Sequence, residues 1–233
     1  MKNGQKIKNV FVNEFDFENN KKTYKELSNN LVDVEQKGYD FDRIIQKSAN
    51  SSYKSLDSIV VKEKEIIFIE FKQGFEDRVN KNTFSQSIIP SCKLNEDCDD
   101  LKTVVEKGYN CFFEKREAEK KILIDDLILK AFESITFFNN FVISKSCQTR
   151  KDIKIIYLII VDSLYFYNQS YTIKSFKSYK LIPYERSRLI QAEMNKYRKI
   201  KNLDGESFCD EIYVLKPQKF EELLKRNFDD ICS

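Results

Sequence analysis

The sequence of 233 residues predicts an α/β protein, and three segments carry that prediction. Residues 66–71 and 153–161 are dense apolar runs, which are typical of buried strands. Between these runs, the apolar residues of the segment 116–140 recur at helical spacing and predict a long buried helix. A hydrophobic content of 41% indicates a folded chain, and its length suits a single domain over residues 1–233.

The first helix is predicted to begin at a capping box formed by Thr23 and Glu26. Its apolar stripe continues to Val34, and Gly38 provides the stop signal. The next segment, residues 42–47, predicts a short strand. The chain thus opens with a helix followed by the first strand of a sheet.

Two further strands are predicted to form a hairpin. Residues 55–61 are a β-branched run, and residues 62–65 are polar and short enough for the turn. If the turn centres between residues 63 and 64, antiparallel pairing places Asp57 opposite Glu70.

The rest of the chain contains an insertion and a C-terminal extension. Residues 75–115 are predicted to be irregular or partly helical, with a short helix at 99–107. After the strand at 153–161, helices are predicted at 185–199 and 218–227, and a strand at 211–215. The extension, residues 163–233, therefore adds α/β elements to the preceding core.

Composition excludes several classes of site. The chain has no His, which rules out Ser-His-Asp and Cys-His nucleophiles, His-metal sites and a His general base. The six Cys are scattered, and the nearest approach to a metal cluster is Cys92, Cys98 and Cys111; the alternative is free thiols in a reducing cytosol. We see no signal peptide and no long apolar span, so we expect a cytoplasmic protein without membrane contact.

The most informative residues are Glu70 and Lys72. Side chains alternate faces along a strand, so these two charged groups share a face with Phe68. Ionised groups on a buried strand are costly unless they are paired or bind a metal. With Asp57 alongside, two carboxylates and a lysine converge, which is the composition of a magnesium-dependent phosphodiesterase site. The alternative is an edge strand with a solvated polar face, on which Asp57 only caps its strand.

This arrangement resembles the PD-(D/E)xK nuclease superfamily over roughly residues 22–162. Asp57 matches the motif aspartate, and Glu70-Phe71-Lys72 matches the second carboxylate and the lysine. The resemblance implies a restriction-endonuclease-like core, in which a central mixed sheet is flanked by helices in the order αβββαβ. Leu56 stands where the family's eponymous proline is found.

The resemblance also implies roles for the residues of the site. Asp57 and Glu70 would hold Mg²⁺ or Mn²⁺, with the backbone carbonyl of Phe71 as a further ligand. Lys72 would orient or deprotonate the attacking water, or stabilise developing negative charge. Gln73 follows as a polar residue of the same site.

Glu26 has two competing interpretations. The family often carries a Glu near the metals on its first helix, and Glu26 is the best positional match. The capping box with Thr23 would instead occupy the same carboxylate with the backbone, and we favour that interpretation.

A basic and aromatic region extends over residues 141–202. It holds 13 Lys and Arg against 4 Asp and Glu, whereas the rest of the chain holds 27 against 33. Basic residues with interleaved aromatics suit phosphates and unstacked bases, and a solvated basic face is the alternative. The candidate phosphate contacts are Arg186, Arg188, Lys196 and Arg198.

The sequence therefore predicts a metal-dependent nuclease that hydrolyses phosphodiester bonds of nucleic acid, with DNA favoured over RNA. Strandedness, endo- or exonuclease action and homodimerisation stay open. A role in genome defence, restriction or mobile elements is what the family implies. The alternative is a non-catalytic binding module on the same fold, an inhibitor or adaptor that docks on a protein or nucleoprotein partner through the acidic patch 96–100 and exposed Tyr.

Overall fold

A computed structural model describes residues 5–49, 53–73, 124–162, 165–167, 183–197 and 207–228. Within these ranges the chain forms a six-stranded mixed open sheet with helices on both faces. The predicted α/β class is thereby confirmed. The predicted insertion at 75–115, with its short helix, lies outside the described residues.

The strands and helices are numbered here in chain order. The strands are β1 (Lys21–Thr23), β2 (Lys37–Asp40), β3 (Ser58–Val61), β4 (Glu65–Lys72), β5 (Lys154–Val161), β6 (Tyr165–Tyr167), β7 (Pro183–Glu185) and β8 (Glu211–Leu215). The helices are α1 (Ile7–Phe15), α2 (Tyr24–Leu27), α3 (Phe41–Ala49), α4 (124–141), α5 (Arg186–Tyr197) and α6 (Pro217–Lys225).

The main sheet has the order β1-β2-β3-β4-β5-β8. Its first four strands are antiparallel neighbours, whereas β5 is parallel to β4 and β8 is parallel to β5. In the β3–β4 hairpin, Ser58 pairs with Ile69 and Val61 pairs with Ile66. Continued by one residue, this register sets Asp57 opposite Glu70, as the sequence predicted.

The two faces of the sheet bury different residues of the same strands. Ile66 and Phe68 pack on the side covered by α1, α3 and α4. Ile67 and Ile69 pack on the opposite side, beneath α2 and α6. Since side chains alternate along a strand, this division assigns Glu70 to the face beneath α4. The predicted assignment of faces is confirmed.

The predicted strand at 42–47 is wrong, because this segment belongs to helix α3. The Asp40 carboxylate accepts a hydrogen bond from the Arg43 amide at 3.0 Å, which satisfies a donor of the first helical turn. Ile44 and Ile45 are both buried, and so is Phe41, three positions before Ile44. That spacing is helical, and a short apolar run does not distinguish a strand from a helix.

The predicted helix from Thr23 to Val34 is also wrong in its length. Helix α2 has only four residues and ends at Leu27, with Ser28 as its C-cap. Asn29 and Asn30 follow with φ values of 51° and 65°, in the left-handed region that ends a helix.

Helix α1 was not predicted. It buries Ile7, Val10, Phe11 and Phe15 against the face beneath α4. The spacing of these residues by three and four positions is the helical signal in the sequence.

The later elements agree with their predictions. Strands β5 and β8 and helices α5 and α6 occupy the expected segments, and α4 covers the described part of the predicted long helix. In addition, β6 and β7 form a separate antiparallel pair. By length and composition, the segment Ile124–Lys145 could cross a membrane, but a core helix passes the same test, and this segment supplies core residues beneath the sheet.

Candidate active site

Asp57 lies at the start of β3, directly before the paired residues of the hairpin. Its Oδ2 accepts a hydrogen bond from the Phe71 amide at 2.7 Å. This contact fixes the Asp57 carboxylate beside the part of β4 that carries Glu70. The first two predicted metal ligands are therefore neighbours across the β3–β4 pair.

Helix α4 holds the segment that leads into Asp57. The buried Ser134 hydroxyl accepts a hydrogen bond from the Leu56 amide at 3.0 Å. The Glu133 carboxylate accepts another from the Lys54 amide. Two consecutive side chains of α4 thus accept hydrogen bonds from the backbone of the segment before β3, and they fix the approach to Asp57.

Glu70 is the buried centre of the site. Its side chain is 1% exposed, and two ammonium groups approach the same oxygen, Oε1. The Nζ of Lys72 lies 3.0 Å from this atom and the Nζ of Lys130 lies 2.8 Å from it. The second oxygen, Oε2, is buried and has no hydrogen-bond partner among the described residues. A buried carboxylate oxygen without a donor is costly unless a cation or water satisfies it.

Asp126 of α4 completes the arrangement. Its Oδ2 lies 3.0 Å from the Nζ of Lys72, and its Oδ1 lies 3.2 Å from the Nζ of Lys54. Three carboxylates and three ammonium groups therefore form one connected group, which we call the charged cluster. Its members are Lys54, Asp57, Glu70, Lys72, Asp126 and Lys130.

Asp57 is the member of the charged cluster with the most perturbed protonation. Burial and the nearby Glu70 carboxylate raise its pKa to about 7, from an ordinary value of 3.8. The Phe71 amide and the ammonium groups of Lys130 and Lys72 offset part of this rise. Two carboxylates that repel each other in a buried site favour either a bound proton or a bound cation between them.

Lys72 and Asp126 are both held in their charged forms. Burial by itself would lower the pKa of Lys72, but the Glu70 and Asp126 carboxylates outweigh it and the pKa lies above its ordinary value. Burial would likewise raise the pKa of Asp126, but hydrogen bonds and charges from Lys72 and Lys54 bring it below the ordinary range. Lys72 is thus a cation at neutral pH, not a ready proton acceptor.

Tyr157 of β5 lies buried beneath the charged cluster. Its hydroxyl donates a hydrogen bond to the Leu127 carbonyl at 3.2 Å. Burial, followed by the negative charges of Glu70 and Asp57, raises its pKa well above the ordinary value. Tyr157 therefore stays neutral and serves as part of the floor of the site.

The donor set suits a small divalent cation. Magnesium is bound by one or two carboxylates and retains several waters, and Asp57 and Glu70 offer that number. The unpartnered Oε2 of Glu70 and the mutual repulsion of the two carboxylates are the features that a cation would relieve. Within the described ranges, no group of three or more His, Cys, Asp or Glu is placed to hold a metal. The ammonium group of Lys72 lies between the carboxylates of Glu70 and Asp126, 3.0 Å from an oxygen of each.

The predicted site residue Gln73 lies elsewhere. The Gln73 amide group donates hydrogen bonds to the backbone carbonyls of Ser28 (3.2 Å) and Asn29 (2.7 Å), at the end of α2. Because Gln73 is one residue from Lys72, its side chain leaves β4 on the opposite face, away from the charged cluster. The backbone amide of Phe71 donates a hydrogen bond to Asp57, and the role of its carbonyl as a metal ligand stays a prediction.

Glu26 forms the capping box that we favoured from the sequence. Its Oε2 accepts hydrogen bonds from the Thr23 amide and hydroxyl, each at 2.8 Å, and its own amide donates to Thr23. These hydrogen bonds hold the carboxylate at the start of α2. The Thr23 backbone amide, followed by the Thr23 hydroxyl, lowers the pKa of Glu26.

The structure describes little of the predicted phosphate contacts. Lys196 is exposed and pairs with Glu193 on the same helix at 2.8 Å. The backbone of Arg186 and Arg188 lies in α5, and their side chains are outside the described part of the chain, as is the whole of Arg198. The nucleic-acid role of these residues stays a prediction.

Asp126 and Lys130 are site residues that the sequence analysis missed. They are four positions apart, so they share one face of α4, close to the apolar stripe that includes Leu127 and Ala131. Charged residues beside a buried stripe were the available signal. Their meeting with Glu70 was not predictable because it depends on how a helix 60 residues away in sequence crosses the sheet.

Comparisons of the chain with protein-family models, with curated proteins and with solved structures gave no match. The geometry of the charged cluster is therefore the basis on which we infer a function.

Proposed function

We propose that this protein is a metal-dependent nuclease that hydrolyses phosphodiester bonds, with a restriction-endonuclease-like core and its active site in the charged cluster. The observation that carries the proposal is the buried Glu70 carboxylate beside Asp57, with one oxygen unpartnered and Lys72 at 3.0 Å from the other. Buried ionisable groups with perturbed pKa values are typical of functional sites.

The order of elements supports the finer fold proposal. Strands β2, β3 and β4 are successive antiparallel neighbours, α4 follows, and β5 returns parallel to β4. This order of elements is compatible with the βββαβ part of the core that the sequence resemblance implies. The chain differs in having helix α3 between β2 and β3.

Each residue of the proposed site has a distinct role. Asp57 and Glu70 would hold the metal ion, which supplies Lewis-acid polarisation of the phosphate and a more acidic bound water. Lys72, as a stable cation, stabilises the negative charge that develops on the phosphate oxygens. Asp126 positions Lys72 through the contact at 3.0 Å.

A cleavage assay tests the proposal. Labelled single- and double-stranded DNA and RNA are incubated with the protein and Mg²⁺ or Mn²⁺, beside Glu70→Ala and Lys72→Ala. Lys145→Ala serves as the matched control, because Lys145 also binds one carboxylate, that of Glu14 at 3.0 Å, away from the charged cluster. We expect cleavage by the wild type and the control, and a loss of at least about 10²-fold in both site variants.

The non-catalytic binding module is the second outcome of this assay. A folded wild-type protein that cuts none of the four substrates would refute the nuclease and favour the binder. The nucleic-acid class that is cut would decide between DNA and RNA. The predicted cytoplasmic location and the role in defence belong to the same proposal and need separate experiments.

A further inference from the structure

Lys130 forms an ion pair with Glu70 in the charged cluster, and the proposed reaction does not require this ion pair. It approaches from α4, and its Nζ lies 2.8 Å from Glu70 Oε1, closer than the 3.0 Å of Lys72. Both ammonium groups thus lie on one oxygen of Glu70, which is one of the two carboxylates that would hold the metal. A lysine ammonium group and a divalent metal ion both bind negatively charged oxygen, so both can bind the Glu70 carboxylate.

The two lysines differ in how firmly they are held. Lys72 also binds Asp126 at 3.0 Å, so its position has two carboxylate partners. Lys130 has a single carboxylate partner, Glu70, among the described residues. The Lys130 side chain is 22% exposed, whereas that of Glu70 is 1% exposed. Lys130 therefore has fewer carboxylate contacts to lose on moving than Lys72 has.

We propose that Lys130 is a built-in competitor for the metal: its ammonium group lies on Glu70 when no metal is bound and withdraws when a divalent cation binds the same carboxylate, because two cations on one carboxylate repel each other. This inference rests on the proposed metal site and adds a positioning residue that tunes its affinity. In this exchange the buried Glu70 carboxylate has a cation of the site beside it both with and without the metal, since an unpaired buried charge would be strongly unfavourable.

We expect the removal of Lys130 to raise the metal affinity of the site. Removing a structural lysine from a buried ion pair would weaken the site and lower its metal affinity. Removing a competitor has the opposite effect, because the metal no longer has to displace an ammonium group. The fold is expected to tolerate the change, since Glu70 keeps its contact with Lys72 at 3.0 Å.

The test measures Mn²⁺ affinity directly, by electron paramagnetic resonance of free Mn²⁺, in wild type, Lys130→Met and Lys130→Gln. Lys145→Met is the matched control, a lysine on one carboxylate outside the site. Circular dichroism verifies that each variant is folded. We expect Lys130→Met to bind Mn²⁺ at least about tenfold more tightly than wild type, because the metal no longer has to displace a positively charged group from Glu70. Lys130→Gln should behave in the same way, and the control should match wild type.

Unchanged or weaker Mn²⁺ binding in both Lys130 variants would overturn the competitor role, and so would the absence of Mn²⁺ binding from all proteins. Cleavage assays on the same samples distinguish a failure of the competitor proposal from a failure of the nuclease proposal. Active wild type with unchanged Mn²⁺ affinity in the variants would refute the competitor and keep the nuclease. Tighter Mn²⁺ binding without any cleavage would support the competitor and refute the nuclease.

Discussion

Replacement of Asp57 by asparagine tests whether the charge of Asp57 lowers the free energy of unfolding. Asparagine has nearly the same shape, and its side-chain oxygen can still accept the hydrogen bond that Phe71 donates to Asp57. The substitution therefore removes mainly the charge. In the metal-free protein that charge is unfavourable, because burial and Glu70 oppose it.

The magnitude follows from the pKa of Asp57. Its folded value is about 7, against 3.8 for the ordinary carboxyl group. Between these two pH values the folded protein retains a proton that the unfolded chain has lost, so the stability of the wild type falls as the pH rises. At about 1.4 kcal/mol per pKa unit, the full effect is roughly 4 kcal/mol. Because the asparagine amide does not titrate, the stability of the variant should not fall in this way as the pH rises.

Urea unfolding of wild type and Asp57→Asn, with chelator present, measures the difference in unfolding free energy. Between about pH 5 and about pH 8, the advantage of the variant should grow by roughly 2 to 3 kcal/mol. Asp33→Asn is the control: Asp33 is paired with Lys25, which lowers its pKa, so this variant should gain no advantage at the higher pH. An advantage of Asp57→Asn that is equal at both pH values would refute the reasoning.

Three further variants test the packing and the alternative site residues. Ser134→Ala leaves the buried Leu56 amide without its acceptor, so urea unfolding should show a loss of about 1 to 3 kcal/mol; a loss within error of zero would contradict the role of α4. Gly38→Ala places a methyl group 2.7 Å from the Tyr24 ring, and calorimetry should show a destabilisation of about 1 to 3 kcal/mol; an unchanged melting temperature would mean that the ring moves freely. Glu26→Ala should lower the melting temperature by a few degrees through the lost cap and leave Mn²⁺ affinity unchanged, whereas weaker Mn²⁺ binding would make Glu26 a ligand after all.

The core of the site was predictable because short-range rules determine it. A polar turn of four residues fixes the register of the β3–β4 hairpin, and that register brings Asp57 beside Glu70. The alternation of side chains then assigns Glu70 and Lys72 to one face and Gln73 to the other. The same alternation argues against Gln73 as a site residue, a consequence that the family pattern obscured.

The remainder of the site depends on long-range packing. Lys130 reaches Glu70 across 60 residues of sequence, and Asp126 reaches Lys72 across 54. Helical periodicity shows which side of α4 faces the sheet, but not which of its residues lies above which strand. The misassigned helix α3 has a different cause, because an apolar run of a few residues fits either period.

The most direct test of the central claim is a crystal structure of the wild-type protein soaked in Mn²⁺, with anomalous data collected to locate the metal. We expect an anomalous peak within about 2.0 to 2.6 Å of carboxylate oxygens of both Asp57 and Glu70. We also expect the ammonium group of Lys130 to have moved away from Glu70 Oε1. A fully soaked crystal with no peak at these two carboxylates, or with Lys130 still at 2.8 Å from Glu70 beside a bound metal, would contradict it.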